Sequence, residues 1–144
     1  MSRPQPEAPR PVFKAMLVCD RAIRELGKNK TSLIGLFDRV EGPEFPMQYM
    51  GGVSVFARVT DAEGHYQMRL ELVRLDDEQT IGRGEVAAEI ASRMGSYDLT
   101  YNVVQLVFER PGTYEFRLFA NGLFVGSAPL YVVQSQEGAG DADR

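Results

Sequence analysis

The stretch PGTYEFRLFANGLFVGSAPLYVV, residues 111–133, decides the fold of this 144-residue chain. In it, Asn121-Gly122 lies between two runs in which apolar and polar residues alternate. Because a type I′ turn needs positive φ at both central residues, an Asn-Gly pair in this setting predicts a two-residue β-hairpin. The two strands are therefore predicted to pair antiparallel, in a register that the turn fixes.

The predicted register places Ala120 opposite Leu123 and Phe119 opposite Phe124, and Leu118 then faces Val125. Directly opposed residues share one side of a sheet, so the hairpin has a core side and an outer side. The core side is predicted to carry Tyr114, Phe116, Leu118, Leu123 and Val125, and the outer side Glu115, Arg117, Phe119, Phe124 and Gly126.

Phe119 and Phe124 thus face each other on a side that otherwise carries charge. One interpretation is a cross-strand aromatic pair that stabilises the hairpin by ~0.2–1 kcal/mol. The other is an apolar patch for a partner protein or a second copy of the chain, extended by Tyr131 if that residue shares the side. The pair is the first candidate site, with both interpretations open.

Period-two alternation recurs along the chain and predicts an all-β fold. A hairpin is expected from 53–59 and 66–72, across the turn residues 60–64. The remaining strands are predicted at 12–24, 31–41, 80–90, 101–108, 113–120, 123–127 and 129–133. About eight short strands joined by frequent turns indicate an antiparallel two-sheet sandwich of immunoglobulin-like type.

Two local patterns bear on that fold. Pro111-Gly112-Thr113-Tyr114 resembles the corner of immunoglobulin-like and fibronectin-like sandwiches, where a Tyr hydroxyl bonds back to nearby backbone. Segment 84–94 alternates as a strand does, but Val86, Ile90 and Met94 also fit one face of a short helix. The strand is the favoured prediction.

Composition limits the function. The net charge is -4 and Lys and Arg are dispersed, which argues against a nucleic-acid or anionic-membrane partner. No apolar run approaches the ~20 residues of a membrane span, and the first residues lack the apolar core of a signal peptide. The single Cys19 cannot form an intramolecular disulfide. We expect a cytoplasmic protein.

Both ends are predicted to be disordered tails. Residues 1–11 are rich in Pro, and residues 134–144 contain no apolar side chain larger than Ala. A single β-sandwich domain is therefore expected over 12–133.

A short motif that occurs twice suggests ion pairs in the first hairpin. Cys19-Asp20-Arg21 and Phe37-Asp38-Arg39 carry the same Asp-Arg step. With a turn centred on Asn29-Lys30, Asp20 faces Arg39 and Arg21 faces Asp38, and the two pairs would fix the register. A paired-carboxylate site would need Asp20 to face Asp38 instead.

A family resemblance rests on the same segments. MLVCDRAI and GKNKTSLIGLFDRVEGPEFP, followed by SVFARVTDAEGHYQMRLELV and the opening stretch, resemble an uncharacterised bacterial family of β-sandwich proteins, a domain of unknown function. The resemblance covers most of 12–133 and is strongest at Cys-Asp-Arg and Ile-Gly-Leu-Phe-Asp-Arg. It implies a compact all-β domain and supplies no activity or site residue.

The sequence contains no converging catalytic or metal-binding set, so we expect no enzymatic activity and no cofactor. The one histidine, His65, adjoins a turn, and Cys19 lies in an apolar strand. The loop 41–52 carries four apolar side chains that either plug the sandwich or form a recognition surface: Phe45, Met47, Tyr49 and Met50.

The favoured hypothesis is a non-catalytic module that binds a partner protein or itself. Two alternatives remain. A small-ligand binder or enzyme would use the 41–52 loop with Asp38, and a carbohydrate-binding sandwich would need an exposed strip of Tyr49, Tyr97 or Tyr101.

Overall fold

The computed structural model describes residues 8–27 and 30–136, and these residues form eleven β-strands and no helix. The strands are β1 (Val12–Arg24), β2 (Thr31–Leu36), β3 (Arg39–Gly42), β4 (Met47–Tyr49), β5 (Val53–Thr60), β6 (Gly64–Arg74), β7 (Gln79–Ile90), β8 (Tyr97–Val103), β9 (Leu106–Phe108), β10 (Gly112–Ala120) and β11 (Leu123–Gln134). None of the described residues lies in a helix that is long and apolar enough to cross a bilayer.

The strands form two main sheets that pack face to face. One has the order β2-β1-β5-β8 and the other β3-β11-β10-β6-β7, while β4 and β9 form a small third sheet. Alternate residues of β5 and β6 fill the space between the main sheets, because period-two strands place every second side chain on one face. These core residues include Val55, Val59, Met68 and Leu72, all nearly inaccessible to solvent.

The predicted all-β, two-sheet sandwich is confirmed, with two differences of detail. Eleven strands are present in the described residues where about eight were expected, because segments such as 31–41 and 101–108 each break into two. The sheets are antiparallel except at one edge, where β3 runs parallel to β11.

The predicted hairpin of 53–59 with 66–72 is wrong. β5 pairs with β1 and β8, whereas β6 pairs with β10 and β7. The turn after Thr60 therefore carries the chain from one sheet to the other. The apolar faces of β5 and β6 meet across the core, and alternation alone does not distinguish such a pair from neighbours in one sheet.

The predicted ion pairs of the first hairpin are also wrong. Arg21 lies opposite Ile34, four positions from its predicted partner Asp38. The turn is closed by a hydrogen bond from Glu25 N to Lys30 O at 3.1 Å, and Gly27 supplies a positive φ of 74°. The turn thus comes earlier in the chain than the predicted Asn29-Lys30 centre.

Asp38 and Arg39 lie outside this hairpin altogether. β2 ends at Leu36, and the carbonyl oxygen of Asp38 accepts a hydrogen bond from Tyr131 N at 2.7 Å in the opposite sheet. Arg39 pairs with Glu41 at 2.9 Å rather than with Asp20. The side chain of Asp20 instead occupies the space beside Gly35, where a Cβ atom would lie.

The predicted tyrosine corner is confirmed. The Tyr114 hydroxyl donates a hydrogen bond to the Arg110 carbonyl oxygen at 2.7 Å. The fully buried Tyr114 ring also meets Phe108 edge-on, with ring centroids 5.1 Å apart. This contact fixes the corner that leads into β10.

Segment 84–94 is a strand as far as Ile90, so the helical alternative is wrong. Met94 lies in the loop that follows and is 88% exposed. Antiparallel pairing with β6 determines the conformation of this segment, because all residues from Gly82 to Ile90 have a partner in β6.

Contacts with the domain begin before the predicted boundary at residue 12. The Tyr66 hydroxyl donates a hydrogen bond to the Pro9 carbonyl oxygen, and Pro11 is buried. Residues 8–11 therefore lie against the sheet. The rest of the predicted N-terminal tail, and residues 137–144 of the predicted C-terminal tail, lie outside the described residues.

Candidate functional site

The hairpin of β10 and β11 positions the first candidate site. Asn121 and Gly122 have φ values of 50° and 82°, as a type I′ turn requires. The turn is anchored to the neighbouring strand β6. Gln67 N donates to Asn121 Oδ1 at 2.8 Å, and Asn121 N donates to Gln67 O at 3.0 Å. The turn between Phe119 and Phe124 is thus held by these two hydrogen bonds to β6.

Phe119 and Phe124 lie opposite each other in this hairpin, in the predicted register. Their ring centroids are 5.8 Å apart and the rings are inclined by 68°, an edge-to-face arrangement. Phe119 is half-buried because the Arg69 guanidinium lies over its ring, 4.4 Å from the centroid. Phe124 stays 44% exposed. An aromatic edge is therefore open to solvent on this face.

The register changes immediately beyond the Phe119–Phe124 pair. Leu118 lies opposite Gly126 and not opposite Val125, because a β-bulge adds one residue to β11. Gly126 is consequently buried, and the Phe13 ring occupies the space where a Cβ atom of residue 126 would lie. The predicted outward position of Gly126 is wrong. Leu123 lies on the predicted side, opposite the buried Ala120, but it is 53% exposed.

Tyr131 shares the outer side but not the patch. It lies opposite Thr113, whereas Phe124 lies opposite Phe119. Thr113 and Phe119 are six positions apart in β10, which corresponds to about 20 Å along an extended strand. Tyr131 is 42% exposed and adjoins the edge strand β3. It is therefore a separate feature of the same face.

Ion pairs surround the Phe119–Phe124 pair on two sides. Arg69 Nε lies 2.8 Å from Glu71 Oε2, without a hydrogen bond at that nitrogen, and Glu71 also lies 3.2 Å from Arg83 Nη2. On β10, Arg117 contacts Glu78 at 3.1 Å and Glu115 at 2.7 Å. The hydrogen bonds that Arg117 donates, first to Glu78 and then to Glu115, raise the pKa of Arg117.

Arg10, which precedes β1, contacts the main chain of Phe124. Arg10 donates two hydrogen bonds to the Phe124 carbonyl oxygen, from Nε at 3.1 Å and from Nη2 at 2.6 Å. The contact holds the backbone of β11 at the start of the strand and leaves the Phe124 ring exposed. Sequence reasoning did not find it because Arg10 and Phe124 are 114 residues apart.

The 41–52 loop forms one end of the sandwich. Met47 is buried, and Phe45 and Tyr49 are half-buried against the core. Their backbone is held by the pairing of β4 with β9. Met50 differs from the other three, since it is 66% exposed. The loop therefore plugs the fold with most of its apolar side chains and presents one of them.

The residues of the enzyme hypothesis do not converge. Asp38 lines a shallow cavity of about 380 Å³ whose other lining residues are all apolar. Cys19 is inaccessible, its Sγ donates to Ser54 O at 3.6 Å, and burial raises the pKa of its thiol. His65 lies in β6, exposed and opposite Glu89. Among the described residues, no group of three metal-ligating side chains forms.

The three tyrosines of the carbohydrate hypothesis face the core. Tyr97 and Tyr101 lie opposite the buried residues Val59 and Val55 of β5. The Tyr101 hydroxyl donates to Met68 O at 3.0 Å, and burial raises the pKa of this phenol. Tyr49 packs beside Phe37, with ring centroids 6.5 Å apart. They form no shared strip.

The buried carboxylate of Asp98, which the sequence analysis did not identify, links the β1–β2 hairpin to strands β5 and β8 of the same sheet. Asp98 is 6% exposed and accepts hydrogen bonds from Arg58 at 2.7 and 3.0 Å and from Thr31 Oγ1 at 3.1 Å. Burial alone would raise the pKa of Asp98, but the bonds from Arg58 and Thr31 outweigh it and lower that pKa. Thr31 lies at the end of the β1–β2 hairpin, so the cluster pins that hairpin.

The packed sheets and the tyrosine corner together define an immunoglobulin-like β-sandwich. A family model described as a family of unknown function (DUF6941) matches residues 14–133, and the chain belongs to that family. No curated protein matches the chain.

Solved structures with similar folds include two kinds of protein. An immunoglobulin-like protein from Pseudomonas aeruginosa has a TM-score of 0.41 and 13% identity, over 89% of this chain and 98% of that one. A β-glucosidase from Listeria innocua in complex with isofagomine has a TM-score of 0.41 and 9% identity, over 88% of this chain and 17% of that one.

Proposed function

We propose that this chain is a cytoplasmic, non-catalytic protein-interaction module whose docking surface is centred on the Phe119–Phe124 pair. The observation that carries the proposal is the exposed Phe124, which pairs with Phe119 and has ion pairs on two sides of that pair. A solvent-facing aromatic pair in a polar surround matches the anatomy of an interface, with an apolar centre and a polar rim.

The residue types at this surface also support the proposal. Aromatic side chains and Arg are over-represented among residues that dominate binding energy. Here the Arg69 guanidinium lies over the Phe119 ring, and Arg117 and Arg83 flank the pair within ion pairs. A bound partner would desolvate the Phe124 ring and compete for these carboxylate contacts.

Rigidity further favours binding. The two-residue turn is tied to β6 by the Asn121 side chain and main chain, and Arg10 holds the Phe124 carbonyl. A preorganised surface loses little conformational entropy when it binds, so more of the contact energy appears as affinity.

The other hypotheses receive less support. A ligand site that used Asp38 with the 41–52 loop would need both to line one cavity, but the cavity beside Asp38 is lined by apolar side chains from other parts of the chain. A sugar-binding platform would need exposed tyrosine rings, and the Tyr101 ring is buried with its hydroxyl bonded to backbone.

The test is a titration against a protein captured by the wild-type chain and then purified. Phe124→Ser removes the exposed ring, and Leu123→Ser is the matched control, because Leu123 is comparably exposed in the same hairpin on its other side. We expect Phe124→Ser to weaken binding about 30-fold or more, the effect of a central interface residue. Leu123→Ser should stay within about twofold of the wild type. Equal affinities for the two variants would exclude this surface.

A further inference from the structure

β7 presents the longest open edge of the two main sheets. The sheets end in β2, β8, β3 and β7, of 6, 7, 4 and 12 residues. An end strand exposes a row of unpaired N–H and C=O groups, which proteins usually protect with charged side chains (above all Lys), Pro, β-bulges or short length. β7 contains neither Lys nor Pro. A cleft of about 490 Å³ between β7 and β8 leaves residues 81–86 open at this edge.

The regular part of β7 has a centre of symmetry at Val86. Its pairing with β6 runs without interruption from Gly82 to Ile90, after a bulge at Ile81. If the β7 strands of two copies pair antiparallel about a two-fold axis at Val86, all nine residues of this run gain a partner. Gly82 then faces Ile90, Gly84 faces Ala88 and Glu85 faces Ala87.

Charge selects the same register. With the axis at Val86, Arg83 of each copy faces Glu89 of the other, and both side chains lie on the outer side of the sheet. Moving the axis by one residue, to Glu85 or to Ala87, places Glu85 opposite itself or opposite Glu89. Like charges directly opposed are destabilising.

One other register also pairs opposite charges. With the axis at Gly84, Arg83 faces Glu85, but the bulge at Ile81 then limits the regular ladder to the five residues 82–86. The axis at Val86 allows the full run to pair. A nine-residue antiparallel ladder supplies about nine hydrogen bonds, which is within the ~5–15 of a typical protein interface.

We infer that the β7 edge binds a second copy of this chain, which joins the two five-stranded sheets into one across a two-fold axis at Val86. The evidence is the charge complementarity of Arg83 with Glu89, the symmetric regular run and the length of the open edge, which contains neither Lys nor Pro. Arg83 belongs both to this edge and to the ion pairs beside the Phe119–Phe124 pair, whereas Glu89 belongs to the edge alone. Variants of Phe124 and of Glu89 therefore distinguish the two proposals.

The test is analytical ultracentrifugation of the full chain and of charge-reversal variants. Wild type should sediment as a monomer–dimer equilibrium. Arg83→Glu alone opposes two Glu pairs and Glu89→Arg alone opposes two Arg pairs, so each should raise the dimer dissociation constant about tenfold or more. Arg93→Glu makes the same charge change in the exposed loop beyond the run and should leave the equilibrium unchanged.

An equimolar mixture of Arg83→Glu and Glu89→Arg gives the decisive comparison. In the mixed dimer every pair is again Glu with Arg, so the mixture should dimerise at concentrations at which each variant alone is largely monomeric. This result cannot arise from a folding defect in either variant. A wild type that stays monomeric up to millimolar concentration, or a mixture that does not associate, would overturn the inference.

A cysteine pair tests the register. Val86→Cys places two thiols opposite each other at the axis, within the ~4.4–6.8 Å Cα separation of a disulfide. Gly84→Cys is the control, since its two copies would be displaced by about 13 Å along the strands. The native Cys19 is inaccessible. Oxidation should link Val86→Cys and leave Gly84→Cys unlinked; preferential linking of Gly84→Cys would contradict the axis at Val86.

Discussion

The Tyr114 hydroxyl donates its hydrogen bond to the carbonyl oxygen of Arg110, four residues earlier in the chain, at 2.7 Å. This contact holds the turn that precedes β10, and β10 in turn carries Phe119. The local corner thus connects the core to the candidate docking face. Arg110 also pairs with Asp76 at 2.8 Å, so the corner is joined to the loop between β6 and β7.

Removing this hydroxyl should destabilise the fold without altering the docking face. Tyr114→Phe leaves the Arg110 carbonyl without this donor, so we expect the free energy of unfolding to fall by about 1–2 kcal/mol. Urea denaturation measures it. Tyr131→Phe removes an exposed hydroxyl and should change that free energy by less than about 0.5 kcal/mol. Equal effects of the two variants would show that the corner bond contributes nothing.

The two rings of the Phe119–Phe124 pair should be coupled energetically. In a double-mutant cycle with Phe119→Ala and Phe124→Ala, we expect a coupling free energy of about 0.5–1.5 kcal/mol, because the rings meet edge-to-face at 5.8 Å. Urea denaturation of the four proteins gives the value. Additive single effects would mean that the rings do not interact in solution.

Two glycines should respond in opposite directions to the same substitution. Gly126→Ala places a methyl group in the space of the Phe13 ring, and we expect a loss of about 1–3 kcal/mol. Gly84→Ala meets only Tyr101 Cδ2, at the ordinary distance of 3.8 Å, and should stabilise β7 by about 0.5–1 kcal/mol. Thermal and urea unfolding test both. A Gly126→Ala protein as stable as wild type would contradict the packing of Phe13.

The Asp98 cluster predicts a pH dependence of stability. Since the folded-state pKa of Asp98 is lowered, its contribution is complete above the unfolded-state value of about 3.9 and is lost as the pH falls through the folded-state pKa. Asp98→Asn should cost about 1–2 kcal/mol at pH 7, a modest value because the Arg58 side chain is 42% exposed. The difference between variant and wild type should shrink below about pH 4. A constant difference from pH 7 to pH 3 would refute this account.

The sequence predicted those features that depend on local chemistry. Asn121-Gly122 predicted its turn and the pairing of Phe119 with Phe124, and Pro111-Gly112-Thr113-Tyr114 predicted the corner. Both signals act over a few residues, so no information about distant contacts was needed.

Features that depend on distant contacts were not predictable. The bulge after Leu118 exists beside Phe13, which is more than 100 residues away, and a lone Gly126 was the only signal. The predicted β1–β2 register was wrong because the repeated Asp-Arg step was interpreted as a sign of pairing. The turn instead lies nearer Gly27, and the hydrogen bond from Thr31 to Asp98 holds the strand that follows it. The prediction that β5 and β6 form a hairpin was wrong because both strands have the same alternation, which does not show that the chain passes from one sheet to the other between them.

The most direct test of the proposed docking surface is photo-crosslinking in cells of the source organism. A photoreactive benzoylphenylalanine replaces Phe124 in one protein and, as a control, Val107, which is 48% exposed in the small third sheet. We predict that irradiation links position 124 to a discrete protein partner and that position 107 gives no such product. If position 124 yields no crosslinked product, or the same product as position 107, the Phe119–Phe124 pair is part of the scaffold and not a docking surface.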